Sequence, residues 1–167
     1  MSKRRFAGRE EEGTAATVRW HANSAESAMQ VRPFLDSDEA AVIALWEAAG
    51  LTRSWNDPRK DIDRKRSVRR EWFLVGTEDD AVMASIMIGY DGHRGWINYL
   101  AVSPEHRGRG HARALMRQAE RLLAAAGCPK INLQIRTSNA SVIDFYKAIG
   151  YAQDDVVSFG RRLIADE

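Results

Sequence analysis

Apolar residues recur along this chain in two spacings, and their succession lays out the elements. Residues 29–33 read as a short strand. Behind Asp36 and Glu39, ordered as a capping box of the Asp type, Val42, Leu45, Trp46 and Ala49 return at helical spacing until Gly50 stops them. Residues 51–58 form a loop holding Trp55, Asn56 and Asp57, and a charged helix is expected from about 59 to 69. Two apolar runs, 72–76 and 81–90, are joined by Glu78-Asp79-Asp80, a hairpin signal. The turn Asp91-Gly92-His93-Arg94-Gly95 leads into Ile97, Tyr99, Leu100, Ala101 and Val102, a buried strand ended by Ser103-Pro104. Ala112, Leu115, Met116, Ala119, Leu122, Leu123 and Ala126 then mark a long amphipathic helix. Ile131, Leu133 and Ile135 alternate as a strand, Val142, Phe145, Tyr146 and Ile149 share a helical face closed by Gly150, and residues 156–163 read as a closing strand. The expected order is β-α-α-β-β-β-α-β-α-β.

Between the strand ending at Val102 and the long helix lies Arg107-Gly108-Arg109-Gly110-His111-Ala112. A glycine-containing loop that opens a helix presents unpaired backbone N–H groups backed by the positive end of the helix dipole. Gly108 and Gly110 allow close approach to the main chain, and Arg107 and Arg109 add charge. Such a loop suits an anion, above all a phosphate. A Walker loop would need Gly-Lys-Ser/Thr, whereas Gly110 precedes His111-Ala112. A Rossmann fingerprint would need a glycine at Arg113 and an acidic residue near the end of the next strand, and residues 130–136 contain none. What remains is Arg/Gln-x-x-Gly-x-Gly/Ala, met by Arg107, Gly110 and Ala112.

A second motif follows in Asn139-Ala-Ser-Val-Ile-Asp-Phe145-Tyr146-Lys-Ala-Ile-Gly150-Tyr151. With the loop before it, this stretch resembles the GNAT family of N-acetyltransferases over about residues 97–151. The resemblance implies an α/β (α+β) fold with a central mixed, mostly antiparallel sheet, helices on both faces, and fourth and fifth strands that are parallel and splayed. It also implies an acetyl-CoA-dependent acyltransferase. Residues 107–112 would take the pyrophosphate, the strand end at Leu100, Ala101 and Val102 would offer an N–H to the thioester oxygen, and Asn139 would bind the pantetheine arm. Tyr146 would lie near the thioester sulfur as proton donor, a role its phenol suits.

The general base is open at this stage. Some acetyltransferases of ribosomal-protein N-termini, similar around residues 133–139, carry a glutamate where Gln134 stands, and an amide takes no proton at neutral pH. A water held by Gln134 or Asn98, or else Asp91 or His93, are the candidates; Asp91 is equally a turn residue. The loop between the first two helices borders the acceptor site in this family, which makes Trp55, Asn56 and Asp57 acceptor-side candidates together with Tyr90 and His93. Asp57 could instead be an N-cap ahead of Pro58. The expected acceptor is a primary amine, a peptide N-terminus or a small cationic metabolite rather than a bulky aminoglycoside.

Composition narrows the alternatives. The 167 residues are 44% hydrophobic and 29% charged, enough to bury a real core, and the formal net charge is +2. Residues 1–28 lack an apolar signal segment and are expected to be a disordered extension before a single domain at 29–167. No apolar run approaches a membrane span, and a lone Cys128 fits a reducing cytoplasm. His106 and His111 are not accompanied as metal ligands are, so no metal is expected. Residues 57–71 carry seven basic and four acidic side chains, but Asp61 before Lys65 is the i,i+4 pattern of a solvated helix, and no nucleic-acid motif accompanies it. The remaining alternative is a non-catalytic acyl-CoA sensor, and the assembly is expected to be a monomer or homodimer.

Overall fold

A computed structural model describes residues 29–166. The elements are β1 (Gln30–Pro33), α1 (Glu39–Ala48), α2 (Pro58–Ser67), β2 (Phe73–Glu78), β3 (Ala81–Tyr90), β4 (Gly95–Val102), α3 (His111–Ala125), β5 (Ile131–Asn132) and α4 (Ala140–Ala148). The strands form one sheet in the order β1-β2-β3-β4-β5, antiparallel except for the parallel pair β4–β5. The extension at 1–28, expected to be disordered, lies outside the described residues.

Period-two alternation divides the core. Phe73, Val75 and Met87 join Val42, Leu45, Trp46 and Ile62 beneath α1 and α2. Their neighbours Leu74, Ala84, Ile86 and Ile88 join Leu115, Met116, Ala119 and Leu123 of α3 and Tyr146 of α4. A one-residue slip would send each set to the wrong face, so burial on both sides fixes the register. The β2–β3 turn places Asp79 and Asp80 at positive φ, as a tight two-residue hairpin requires.

Two local expectations need correction. The first is the capping box. Asp38 rather than Asp36 receives the Leu35 N–H at 2.8 Å and holds Arg32 through two contacts of 2.6 and 2.9 Å. Glu39 instead pairs with Arg59 and Arg66 of α2. A carboxylate buried beside an arginine outcompetes an exposed cap for the role of helix anchor. The second is the closing strand at 156–163. This segment is exposed, has no regular secondary structure and pairs with no strand among the described residues. Its apolar pattern is strand-like, yet the sheet ends at β5, whose ladder is only two residues long.

Candidate active site

β4 and β5 pair only at Gly95–Ile131 and Trp96–Asn132. Beyond that point residues 133–136 leave the ladder, opening a cleft along the second half of β4. β4 itself is deformed there. Its register with β3 shifts between Ser85 and Met87, and Tyr99 takes a φ of +50°. A bulge with a non-glycine residue in the left-handed region is an uncommon and strained arrangement of the kind that clusters at functional sites.

The surroundings over-determine that strained residue. The Tyr99 ring stacks on Trp46 at 3.9 Å between centroids. Trp46 donates to the Ser85 hydroxyl at 2.9 Å, which donates to the Tyr99 carbonyl at 3.0 Å. The Tyr99 hydroxyl donates to Asp61 at 2.5 Å and accepts from the Asn56 amide at 3.1 Å. Burial and the Asp61 carboxylate raise the Tyr99 phenol well above its ordinary range. Arg64 joins Asp61 to Asp166, and the Asp57 N–H donates to the Asp166 carbonyl at 2.8 Å. The sequence reading named Asn56 but missed Asp61, Tyr99, Arg64 and Asp166. Aromatic and acidic residues distant in sequence carry no local signal that they meet.

At the head of the cleft, α3 begins without a cap. Gly110 occupies the N-cap position with φ of +82°, no side chain caps the turn, and no acidic residue stands in it. Gly108 has φ of +76° and open space where a Cβ would stand. Residues 107–110 are exposed. Orphan N–H groups, an unneutralised helix dipole, flanking Arg107 and Arg109, and a glycine-lined approach together fit a phosphate-bearing ligand. His111 departs from expectation. Its side chain is buried and faces the His106 ring, so only its backbone N–H is offered to the loop.

Tyr146 lies in the same apolar cluster as Leu100 and Val102 from one arm of the cleft and Leu133 and Ile135 from the other. Its hydroxyl has no hydrogen-bond partner among the described residues, and burial pushes its pKa up to about 12. Asn139 sits at the N-cap position of α4 without capping it; its side-chain oxygen accepts from the Ser141 hydroxyl at 3.3 Å. Asn98 is exposed on β4, and Gln134 donates to Ser158 at 2.6 Å. Trp55 is 45% exposed, with the Arg136 guanidinium 6.0 Å from its ring.

Three candidates lie at the other end of β4. Tyr90, Asp91 and His93 lie around the start of β4, whereas the phosphate-type loop follows its end. Eight residues at about 3.3 Å each separate the two ends. Asp91 accepts from the His93 and Arg94 N–H groups at 2.8 and 2.6 Å and from Trp96 at 2.9 Å. These donors, Arg94 first, lower its pKa to about 2 and hold it as a turn residue. The Tyr90 hydroxyl bonds to the Gly92 carbonyl, and His93 is exposed beside Arg94. Asp57 is likewise committed, as the N-cap of α2 receiving the Arg59 N–H at 2.8 Å. Cys128 stays structural: its sulfur donates to Lys130 and packs against Gly95, where an added Cβ would meet it at 3.1 Å. Among the described residues no three His, Cys, Asp or Glu gather as a metal site, and no helix is long and apolar enough to cross a membrane.

The sequence profile of the acetyltransferase (GNAT) family matches residues 38–151, and the chain belongs to that family. An acetyltransferase of Yersinia enterocolitica is 47% identical over 139 residues, spanning 83% of this chain and 99% of its own length. Among solved structures, an aminoglycoside N-acetyltransferase in complex with CoA superposes with a TM-score of 0.64 at 15% identity, covering 86% of this chain and all of that one. The ribosomal-protein-S18-alanine N-acetyltransferase from Escherichia coli gives 0.62 at 18% identity, over 73% and 76% of the two chains. At these identities the structural likeness shows the fold. Family and relatives together make the chain an acetyl-CoA-dependent N-acetyltransferase.

Proposed function

We propose that this enzyme moves the acetyl group of acetyl-CoA directly to a primary amine, a peptide N-terminus or a small metabolite, in the cleft between β4 and residues 133–136. The observation that carries the reading is the coincidence of that cleft with the uncapped N-terminus of α3 at one end and Tyr146 in its apolar lining. Acetyl-CoA supplies a thioester whose carbonyl carbon accepts the amine and whose sulfur departs. Residues 107–112 hold the pyrophosphate through backbone N–H groups and arginine charge, and Asn139, uncommitted as a cap, turns its amide to the pantetheine arm. Backbone groups at the end of β4 face the developing charge on the thioester oxygen, a contribution that preorganised donors make without reorganising.

Tyr146 keeps its proton until the sulfur leaves, because burial raises its pKa to about 12. The amine proton goes to water rather than to a side chain. Gln134 is an amide, Asn98 is an amide, and Asp91 is bound into its turn. Trp55, Asn56 and the Asp61–Tyr99 pair form the acceptor side. An alkaline rise in kcat/KM that follows the pKa of each amine tried, rather than one fixed value, is the signature of this arrangement.

The cofactor half is tested by Arg109→Glu combined with Gly110→Asp. Calorimetry should find acetyl-CoA binding abolished while circular dichroism stays native; unchanged affinity would overturn the assignment. The acceptor half is tested by a screen of peptide N-termini, polyamines, amino acids and aminoglycosides, following free CoA. Turnover of aminoglycosides alone would sink the acceptor reading and leave the cofactor half standing. Stoichiometric binding without CoA release from any amine would return the chain to a sensor.

A further inference from the structure

Past α4 the chain from Ala152 to Ala165 is exposed and forms neither helix nor strand, with bends at Asp155 and Ile164. Among the described residues no backbone group of this stretch takes part in a backbone hydrogen bond. Side chains alone tether it, through Lys130–Asp154 at 2.5 Å, Gln134–Ser158 at 2.6 Å and Arg162 to the Trp55 carbonyl at 3.0 Å. Yet its middle has the composition of a strand. Val156, Val157 and Phe159 are 78%, 79% and 94% exposed, and Leu163 and Ile164 follow them into solvent. A strand-like apolar segment with an unpaired backbone is a template for pairing with another chain.

The charges say which chain. The segment reads Asp154-Asp155-Val156-Val157-Ser158-Phe159-Gly160-Arg161-Arg162, acidic at its start and basic at its end. Laid antiparallel on an identical copy about Ser158, Asp154 faces Arg162, Asp155 faces Arg161 and Val157 faces Phe159. Directly opposite residues share a face of the ladder, so every charged position meets its opposite and an apolar pair closes the middle. In parallel register the same segment sets like charge against like. Asp155 and Arg161 have no ion-pair partner within the described residues, and the second copy supplies one to each.

We propose that residues 154–162 form a two-fold antiparallel ladder with the same segment of a second copy, making the enzyme a homodimer. The contact is isologous, as a closed two-fold pair requires. Because Arg162 also holds the Trp55 carbonyl, the ladder fixes the rim of the acceptor side in place.

The experiment uses the full chain in sedimentation and light scattering, with circular dichroism to certify each fold. The wild type should sediment at twice 18.8 kDa. Asp155→Lys or Arg161→Asp alone sets two like-charge pairs across the ladder and should raise the dimer Kd about tenfold or more. Asp155→Lys with Arg161→Asp in one chain should restore the dimer. An equimolar mixture of the two single variants should form heterodimers, since each supplies the charge that the other lacks. In a Cys128→Ser background, Ser158→Cys should crosslink to its own copy under mild oxidation, because opposite Cα atoms in such a ladder lie within disulfide range. A wild type that stays monomeric at about 10-fold above the concentrations used for activity would overturn the proposal. So would a dimer whose Kd is indifferent to both single charge reversals.

Discussion

The two edges of β4 behave differently. Toward β3 six register pairs run from Tyr90–Gly95 to Ala84–Val102, interrupted by one bulge. Toward β5 there are two, and then the strands part. On the closed edge, β2, β3 and β4 carry buried residues on both faces. On the open edge, Leu133, Ile135, Val142 and Phe145 are only partly buried. The sheet is tight where it defines the fold and unfinished where the proposed ligand site lies. Backbone groups that would otherwise pair are left for a substrate.

Removing one oxygen from the open edge should have the largest effect. Tyr146→Phe keeps the ring in its cluster and should leave acetyl-CoA affinity unchanged while lowering kcat by about 10²–10⁴-fold. Single-turnover kinetics with a reactive amine check this. With the phenol raised to about 12, the wild type should show no falling limb from Tyr146 at any working pH. An unchanged kcat in the variant would make Tyr146 a packing residue, and the open edge would lose its chemistry.

The closed edge answers in stability instead. Leu115 is fully buried between α3 and the sheet, so Leu115→Ala should cost about 2–5 kcal/mol in urea denaturation. Ile135→Ala, on the splayed arm, removes a similar volume from a half-buried position and should cost visibly less. Equal losses would mean that the two edges are packed alike.

At the hinge between the edges stands Tyr99. Tyr99→Phe preserves the stack on Trp46 but strips Asp61 and Asn56 of the hydroxyl they share. Leaving a part-buried carboxylate short of a donor should cost about 1–3 kcal/mol. The acceptor KM should rise as Asn56 loosens, with the acetyl-CoA Kd unmoved. A change in the acetyl-CoA Kd instead would put the Tyr99 network on the cofactor side of the cleft.

These contrasts also explain what could be read from the sequence. Local patterns were legible. The hairpin at Asp79-Asp80, the stripe Val42-Leu45-Trp46, the glycine loop before α3 and the Gly150 stop all form, because each depends on spacing or backbone freedom within a few residues. Long-range meetings were not. Asp61 reaches Tyr99 across 38 positions, and Arg64 reaches Asp166 across 102. Residues 156–163 show the converse failure: a strand pattern states that a segment can pair, and leaves the identity of its partner open. Asp91 is a third case. A loop crowded with functional groups suggested either chemistry or a turn, and its carboxylate accepts from three donors in a tight turn.

Asp91 carries the smallest predicted effect. Asp91→Asn removes the charge but keeps an acceptor oxygen for the turn, so kcat and kcat/KM should stay at wild-type values with every amine. Stability should fall slightly. The folded carboxylate titrates near 2, below the ordinary value of about 3.9, so its stabilisation is fully present above pH 4 and is lost as pH falls through about 2. The difference between wild type and variant should therefore be constant at neutral pH and vanish on acidification. A difference that instead grew toward acid, or a drop in kcat with an acidic limb of its own, would bring Asp91 back from the turn to the reaction. The functional part of the molecule would then extend along the whole of β4 instead of its open half.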